Sequence, residues 1–244
     1  MTNKYTVNLF VPCCMDLYFP SGVQSVLAVL EKLGDISYYN SEMTCCGRQF
    51  FYRGEIEMAK ELGYRMIRYF DNPNPVVCPS SACVAYIKKY YKKLCEASSV
   101  HSAISHLIQD TYELCDYIVN VKNTTCMNNT FAHRVFLFES CAARNVYYAG
   151  DEAKILLQNT KGLELITDPD MKLCCCGNGE FAMHNGEMTE YALKTIVERV
   201  KQLNAEFITC TDVHCLQYID AYLQTRDDLD VSVVPIAEIL ISNK

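Results

Sequence analysis

Ten cysteines of this 244-residue chain lie on one grid that is written twice, and no other feature constrains the fold as tightly. In the first half, Cys13 is followed after 31 residues by Cys45-Cys46-Gly47, after another 31 by Cys78, and after four more by Cys83. In the second half, Cys141 is followed after 33 residues by Cys175-Cys176-Gly177, after another 33 by Cys210, and after four more by Cys215. Matching cysteines are 128 to 132 residues apart. Chance placement does not keep five positions in step, so two copies of one unit are expected. The boundary is placed near residue 125, giving units 1–125 and 126–244, each a common domain size.

The signals around the cysteines repeat as well. Tyr5–Val11 and Arg134–Phe138 read as buried strands that end at the first cysteine of each half. Apolar residues at helical spacing follow (Val23, Val26, Leu27, Leu30; Ala153, Leu156, Leu157), then second strands at Asp35–Tyr39 and Leu163–Thr167. After each Cys-Cys-Gly comes a helical stretch, Glu55–Phe70 and Glu187–Leu203, and then short strands, Pro75–Val77 and Glu206–Thr209, that deliver the next cysteine. Such alternation predicts an α/β protein with two similar halves, each a small, mainly parallel sheet flanked by helices, related by a pseudo-two-fold. Between the halves, Ile104, Leu107, Ile108 and Leu114 read as a helix, and polar Asn120–Thr130 reads as a linker or exposed loop.

In an open parallel sheet, ligands gather beyond the carboxyl ends of the strands, where Cys13, Cys78, Cys141 and Cys210 are expected. Cys83 and Cys215 fall in the first turn of helices capped by Ser80 or Ser81 and by Thr211 or Asp212. A helix N-terminus favours a thiolate there. The glycine of each Cys-Cys-Gly allows a tight turn that points both sulfurs inward. Each half can therefore bring five sulfurs to one edge. An odd total of fifteen cysteines, several of them adjacent, is a poor disulfide framework. Structural zinc takes four ligands in two closely spaced pairs, which neither half contains. Iron–sulfur ligation is the favoured reading, with a zinc-stabilised scaffold and bare catalytic thiols as alternatives.

The net charge of -7 argues against a nucleic-acid partner, and Lys88-Lys89-Tyr90-Tyr91-Lys92-Lys93 reads as a solvated helix face. No basic-then-apolar leader opens the sequence, and the apolar tail Val231–Ile241 is too short to span a bilayer, so a soluble, cytoplasmic protein is expected. No Gly-x-Gly-x-x-Gly or phosphate-loop pattern supports flavin or nucleotide binding.

The doubled pattern resembles the cysteine-rich CCG domain family over nearly the whole chain. Phe10-Val11-Pro12-Cys13, Thr44-Cys45-Cys46-Gly47-Arg48-Gln49, Pro79-Ser80-Ser81-Ala82-Cys83 and Pro235-Ile236-Ala237-Glu238-Ile239-Leu240 are similar to the iron–sulfur subunit of the L-lactate utilisation system (LutA/LldE type). That resemblance implies electron transfer in oxidation of L-lactate to pyruvate, beside two partner subunits, one also carrying iron–sulfur motifs. A more distant resemblance is to the B subunit of heterodisulfide reductase, whose CCG halves hold non-cubane [4Fe–4S] clusters through five cysteines and cleave a disulfide. By resemblance the ligands are Cys13, Cys45, Cys46, Cys78 and Cys83 in one half and Cys141, Cys175, Cys176, Cys210 and Cys215 in the other, with one [4Fe–4S] cluster, cubane or non-cubane, per half. Ala142 after Cys141 and Asn178-Gly179-Glu180 after Gly177 depart from the lactate-type pattern, and Cys174 makes the second doublet a triple.

Of the remaining residues, Cys95, Cys115 and Cys126 read as small partly buried hydrophobes, and Cys14 as either a spare thiol or a packing residue. His214 stands beside a predicted ligand and reads either as a surface helix residue or as a hydrogen-bonding tuner. Arg48 and Arg144 read either as surface residues or as charges that offset a thiolate-rich site.

Overall fold

The computed structural model describes residues 6–147, 149–168, 171, 176, 185–226 and 230–243. Each half contributes a four-stranded parallel sheet. The first joins β1 (Val7–Leu9), β2 (Ser37–Tyr39), β3 (Val76–Cys78) and β4 (Thr111–Glu113) in the order β2-β1-β3-β4. The second joins β5 (Arg134–Leu137), β6 (Glu164–Ile166), β7 (Phe207–Thr209) and β8 (Ser232–Val233) in the matching order β6-β5-β7-β8. The expected two-half α/β architecture is therefore present, and every described strand pair is parallel.

Helices cover both sheets. The first half carries α1 (Cys13–Tyr18), α2 (Pro20–Lys32), α3 (Arg48–Tyr52), α4 (Ile56–Tyr69), α5 (Ser81–Leu94), α6 (His101–Gln109) and the short α7 (Leu114–Asp116). The second carries α8 (Asp151–Gln158), α9 (Gly186–Gln202), α10 (Val213–Leu223) and α11 (Ile236–Ile241). Helix α4 buries Ala59, Leu62, Gly63, Met66 and Ile67, and its counterpart α9 buries Leu193, Ile196, Val197 and Val200. Both sets follow the i, i+3, i+4, i+7 stripe that lays a helix on a sheet. Asn185 caps α9 by accepting the Met188 N–H at 3.1 Å.

The halves exchange their packing. Helix α11 of the second half lies on α2 of the first, while α7 of the first lies on α8 of the second. Helix α1 likewise packs on α10, and α5 packs on the turn 143–147. At the first of these contacts a Cβ on Gly22 would stand 2.8 Å from the mobile Met15 Cε and 3.2 Å from Pro235, so the two helices approach closely here. One hydrophobic core consequently runs through both halves, from Val7, Val26 and Leu30 to Val135, Ile208 and Ile239, and a second fills the first half around Phe10, Met66, Tyr86 and Tyr91.

Two expectations need correction. The helical reading around Leu114 passed over β4, whose Thr-Tyr-Glu run lacks the apolar character by which the equally short β1 and β3 are recognised. The segment Asn120–Thr130 is no free linker: Met127 and Asn129 are buried, and Asn129 Nδ2 donates to the Ile239 carbonyl at 2.7 Å, tying the crossover to α11.

Candidate cysteine centres at the carboxyl edges of the sheets

Cys13 opens α1 behind Pro12, rather than ending a strand, and stands beyond the carboxyl end of β1. Cys78 ends β3, and Cys83 is the third residue of α5, whose cap is Ser80: the Ser80 Oγ accepts the Cys83 N–H at 3.4 Å. In the second half the cap is Asp212, which accepts the His214 N–H at 3.1 Å and puts Cys215 at the same third position of α10. Gly47 has φ +89°, and a Cβ there would meet the Ala59 carbonyl oxygen at 3.2 Å. This left-handed turn lets the Gly47 N–H donate to Cys45 Sγ at 3.3 Å.

The five first-half sulfurs form one string of contacts. Cys13 hydrogen-bonds Cys45, Cys45 hydrogen-bonds Cys46, Cys46 Sγ lies 3.3 Å from Cys83 Sγ, and Cys83 hydrogen-bonds Cys78. In the second half Cys176 Sγ lies 3.0 Å from Cys215 Sγ, and Cys215 also hydrogen-bonds Cys210. Cys141 is half-buried beyond β5, whereas Cys174 and Cys175 lie outside the described residues. The string thus gathers all five predicted residues of the first half and three of the second.

Burial and crowding oppose ionisation throughout. The Cys13 thiol is pushed up to about 12 by its hydrogen bond with Cys45 and then by burial, with His214 pulling the other way. Burial raises Cys78, and Cys215 is raised well above the ordinary thiol range by its hydrogen bonds to Cys176 and Cys210 and by burial. A lowered thiol at the helix N-termini is therefore not found. At Cys83 the hydrogen bond with Cys46 pulls down, but the bond with Cys78 and burial outweigh it.

Countercharge comes from an unexpected direction. Arg48 is 5% exposed, not a surface residue, and it lies in the field of Asp212 from the other half and of Cys83 and Cys46. Burial opposes ionisation of Asp212, but its hydrogen bond with His214 and the charges of His214 and Arg48 hold its pKa at about 2. His214 is 5% exposed, which sets aside its surface reading. Arg144, by contrast, lines a cavity of about 180 Å³ at the end of β5 and donates to the Glu139 carbonyl at 3.3 Å. Beside it, Lys154 ion-pairs Glu139 and Asp151.

Among the off-grid cysteines, Cys95 and Cys115 are fully buried packing residues and Cys126 is exposed. Cys14 is buried at the junction of the halves, its Sγ 3.6 Å from the Val213 carbonyl. On α5, Lys89, Lys92 and Lys93 are exposed as expected, but Tyr91 is wholly buried and donates to the Cys46 carbonyl at 2.8 Å.

The donor set fits a polynuclear cluster better than a single ion. Among the described residues no three or more His, Cys, Asp or Glu side chains are placed to hold one metal ion. A cluster distributes its thiolates over separate irons, which suits a string of sulfurs. Backbone N–H groups already aim at sulfur, from Gly47 to Cys45 and from Asp212 to Cys210, each at 3.3 Å. The Tyr86 hydroxyl, buried in the field of Cys46, has no partner among the described residues. Iron would also relieve the mutual opposition to ionisation, because metal ligation requires the thiolate.

Fold and site together define a two-lobed, cysteine-gathering α/β protein with one thiol centre at the carboxyl edge of each sheet. The chain belongs to the CCG family, whose cysteine-rich domain matches residues 7–88 and again 135–220. Over its full length it is similar to lactate utilization protein A of Geobacillus sp. (strain WCH70), at 30% identity over 236 residues, covering 97% of this chain and 99% of that one. It is also similar to lactate utilization protein A of Oceanobacillus iheyensis, at 30% identity over 238 residues (98% and 97%), and to lactate utilization protein A 1 of Bacillus anthracis, at 27% over 235 residues (96% and 97%). Among solved structures, an aspartate racemase homologue from Pyrococcus horikoshii OT3 aligns at 12% identity over 96% of this chain and 95% of that one, with a TM-score of 0.36, too low to carry an argument. Among the described residues no helix is long and apolar enough to cross a membrane.

Proposed function

We propose that each half holds an iron–sulfur cluster, expected to be [4Fe–4S], and that the chain passes electrons as one subunit of a cytoplasmic complex that oxidises L-lactate to pyruvate. The ligands are Cys13, Cys45, Cys46, Cys78 and Cys83 in the first half and Cys141, Cys175, Cys176, Cys210 and Cys215 in the second. The observation that carries this reading is the unbroken string of first-half sulfur contacts, from Cys13 through Cys45, Cys46 and Cys83 to Cys78. The full-length similarity to proteins named lactate utilization protein A supports lactate as the substrate.

A bound cluster stores single electrons. The chain's own residues hold it, set its potential through N–H···S contacts and burial, and exclude water. Converting lactate to pyruvate releases two electrons and two protons. A partner subunit removes them, because no flavin or nucleotide pattern is present in this sequence. The other partners are the remaining subunits of the complex, one also iron–sulfur.

The test is anaerobic purification followed by iron and sulfide quantification and electron paramagnetic resonance, with Cys46→Ser and Cys176→Ser alongside. Each substitution is expected to remove about half of the iron, and each a different signal. Zinc without iron or sulfide would overturn the reading. A fifth sulfur in contact favours a second possibility, a heterodisulfide-reductase-B-like centre. Disulfide reduction by the isolated, cluster-loaded chain would establish that instead.

A further inference from the structure

The two thiol centres are joined by a buried chain of hydrogen bonds that crosses from one half to the other. Asp212 stands at its middle. Its Oδ2 accepts Cys215 Sγ at 3.5 Å within the second half. Its Oδ1 lies 3.1 Å from His214 Nδ1 and accepts the first half's Ser80 Oγ at 3.1 Å. Ser80 Oγ is also 3.4 Å from His214 Nδ1. The His214 ring, carried by the second half, in turn lies within interaction range of the first half's Cys13.

The surroundings hold this arrangement in place. Ser80 and Asp212 pair as an antiparallel bridge, the Ser81 N–H donates to the Thr211 carbonyl at 2.9 Å, and Ser81 Oγ bonds Ser140 Oγ at 2.9 Å and Thr211 Oγ1 at 3.2 Å. Ser80, Ser81, Ser140, Thr211, Asp212 and His214 are all buried. The helix caps of α5 and α10, which position Cys83 and Cys215, are thus locked to each other across the pseudo-two-fold.

We propose that His214 is a positioning residue for the first-half cluster, held by Asp212 and Ser80, and that the chain Cys13–His214–Asp212–Cys215 couples the reduction potentials of the two clusters. The proposal rests on the cluster reading given above. A cluster-bound Cys13 is an acceptor only, so the ring donates to its sulfur. Such a bond stabilises the more negative, reduced cluster and raises its potential. Cys215 as a ligand likewise keeps no proton for Asp212, so the carboxylate, 3.5 Å from its sulfur, acts on the second centre through its charge, and a change of charge at one centre is felt at the other through Asp212 and His214.

The test is a redox titration of the full chain followed by electron paramagnetic resonance, comparing wild type, His214→Ala, His214→Gln and Ser80→Ala, with the first-half signal assigned by its survival in Cys176→Ser. His214→Ala is expected to keep its iron and sulfide, to lower the first-half reduction constant by roughly tenfold, the scale of a charge-assisted hydrogen bond, and to alter that signal's line shape. His214→Gln, which keeps an N–H donor, should recover most of the shift. Ser80→Ala should give a smaller shift of the same sign. Introducing Cys176→Ser should move the first-half potential more in wild type than in His214→Ala. An unchanged first-half potential and line shape in loaded His214→Ala would overturn the proposal. If that variant does not load, an unchanged potential in loaded His214→Gln and Ser80→Ala together would do so. Absence of iron from wild type would defeat the cluster reading itself, a separate outcome.

Discussion

The sulfurs of Cys46 and Cys83 lie 3.3 Å apart across 37 residues of chain, and those of their counterparts Cys176 and Cys215 lie 3.0 Å apart across 39. In each case the second cysteine of the Cys-Cys-Gly motif meets the third residue of a capped helix. The repeated grid is thus a repeated contact.

This contact separates two kinds of buried cysteine. Cys46→Ala is expected to remove the first-half cluster. Cys95→Ala, a change at an equally buried thiol packed against Gly63, should leave iron content unchanged and cost roughly 1–2 kcal/mol. Iron per chain and urea unfolding, measured on both variants, check the distinction.

Gly47→Ala forces a side chain into the left-handed region at φ +89° and against the Ala59 carbonyl oxygen. A loss of about 1–2 kcal/mol in unfolding free energy is expected. Because the Gly47 N–H donates to Cys45 Sγ, first-half iron should also be lost faster to a chelator, which a time course of iron release measures.

Arg48→Met removes the buried cation that faces Asp212, Cys83 and Cys46. It leaves the Asp212 carboxylate with less compensation, and a cost on the order of 2–4 kcal/mol is expected. Adding Asp212→Asn should recover part of that loss. A double-mutant cycle by denaturant titration gives the coupling, and strict additivity would contradict it.

Glu113 is buried, and burial lifts its pKa from 4.5 to about 8, although its carboxylate accepts the Cys115 and Asp116 N–H groups at 2.8 and 3.4 Å. The folded state therefore keeps a proton that the unfolded chain releases near 4.5, and this contribution to stability is lost as pH rises from there through about 8. Glu113→Gln should flatten that decline and raise stability at pH 8 to 9 by a few kcal/mol, on the order of 1–4. Thermal unfolding across pH 5 to 9 reads the difference.

The α/β class was legible because strand and helix periods alternate in step with the cysteines. The stripe Ala59, Leu62, Met66 needs only its own helix to be recognised. The capped helix starts at Ser80 and Asp212 were legible for the same local reason. The edge strands β4 (Thr-Tyr-Glu) and β8 (Ser-Val) were not, since they lack the apolar run that marks β1 and β3 and are defined by the neighbour they pair with. The thiol pKa expectation failed at Cys83 and Cys215 because a helix terminus is a local effect, whereas desolvation and neighbouring sulfurs depend on the whole fold.

From the sequence alone came the twofold grid, the strand-and-helix order, and the placing of Cys78 and Cys210 at strand ends and of Cys83 and Cys215 at helix starts, all properties of segments a few residues to a few turns long. Tertiary structure decided the exchange of α7 and α11 between halves, the burial of Arg48 opposite Asp212, and the reach of His214 to Cys13. Apart from α7 on α8, which lie 35 to 44 positions apart, these pairings join residues more than 160 positions apart. Local periodicity carries no record of such partners, and they are chosen only when two apolar faces close over the polar groups between them.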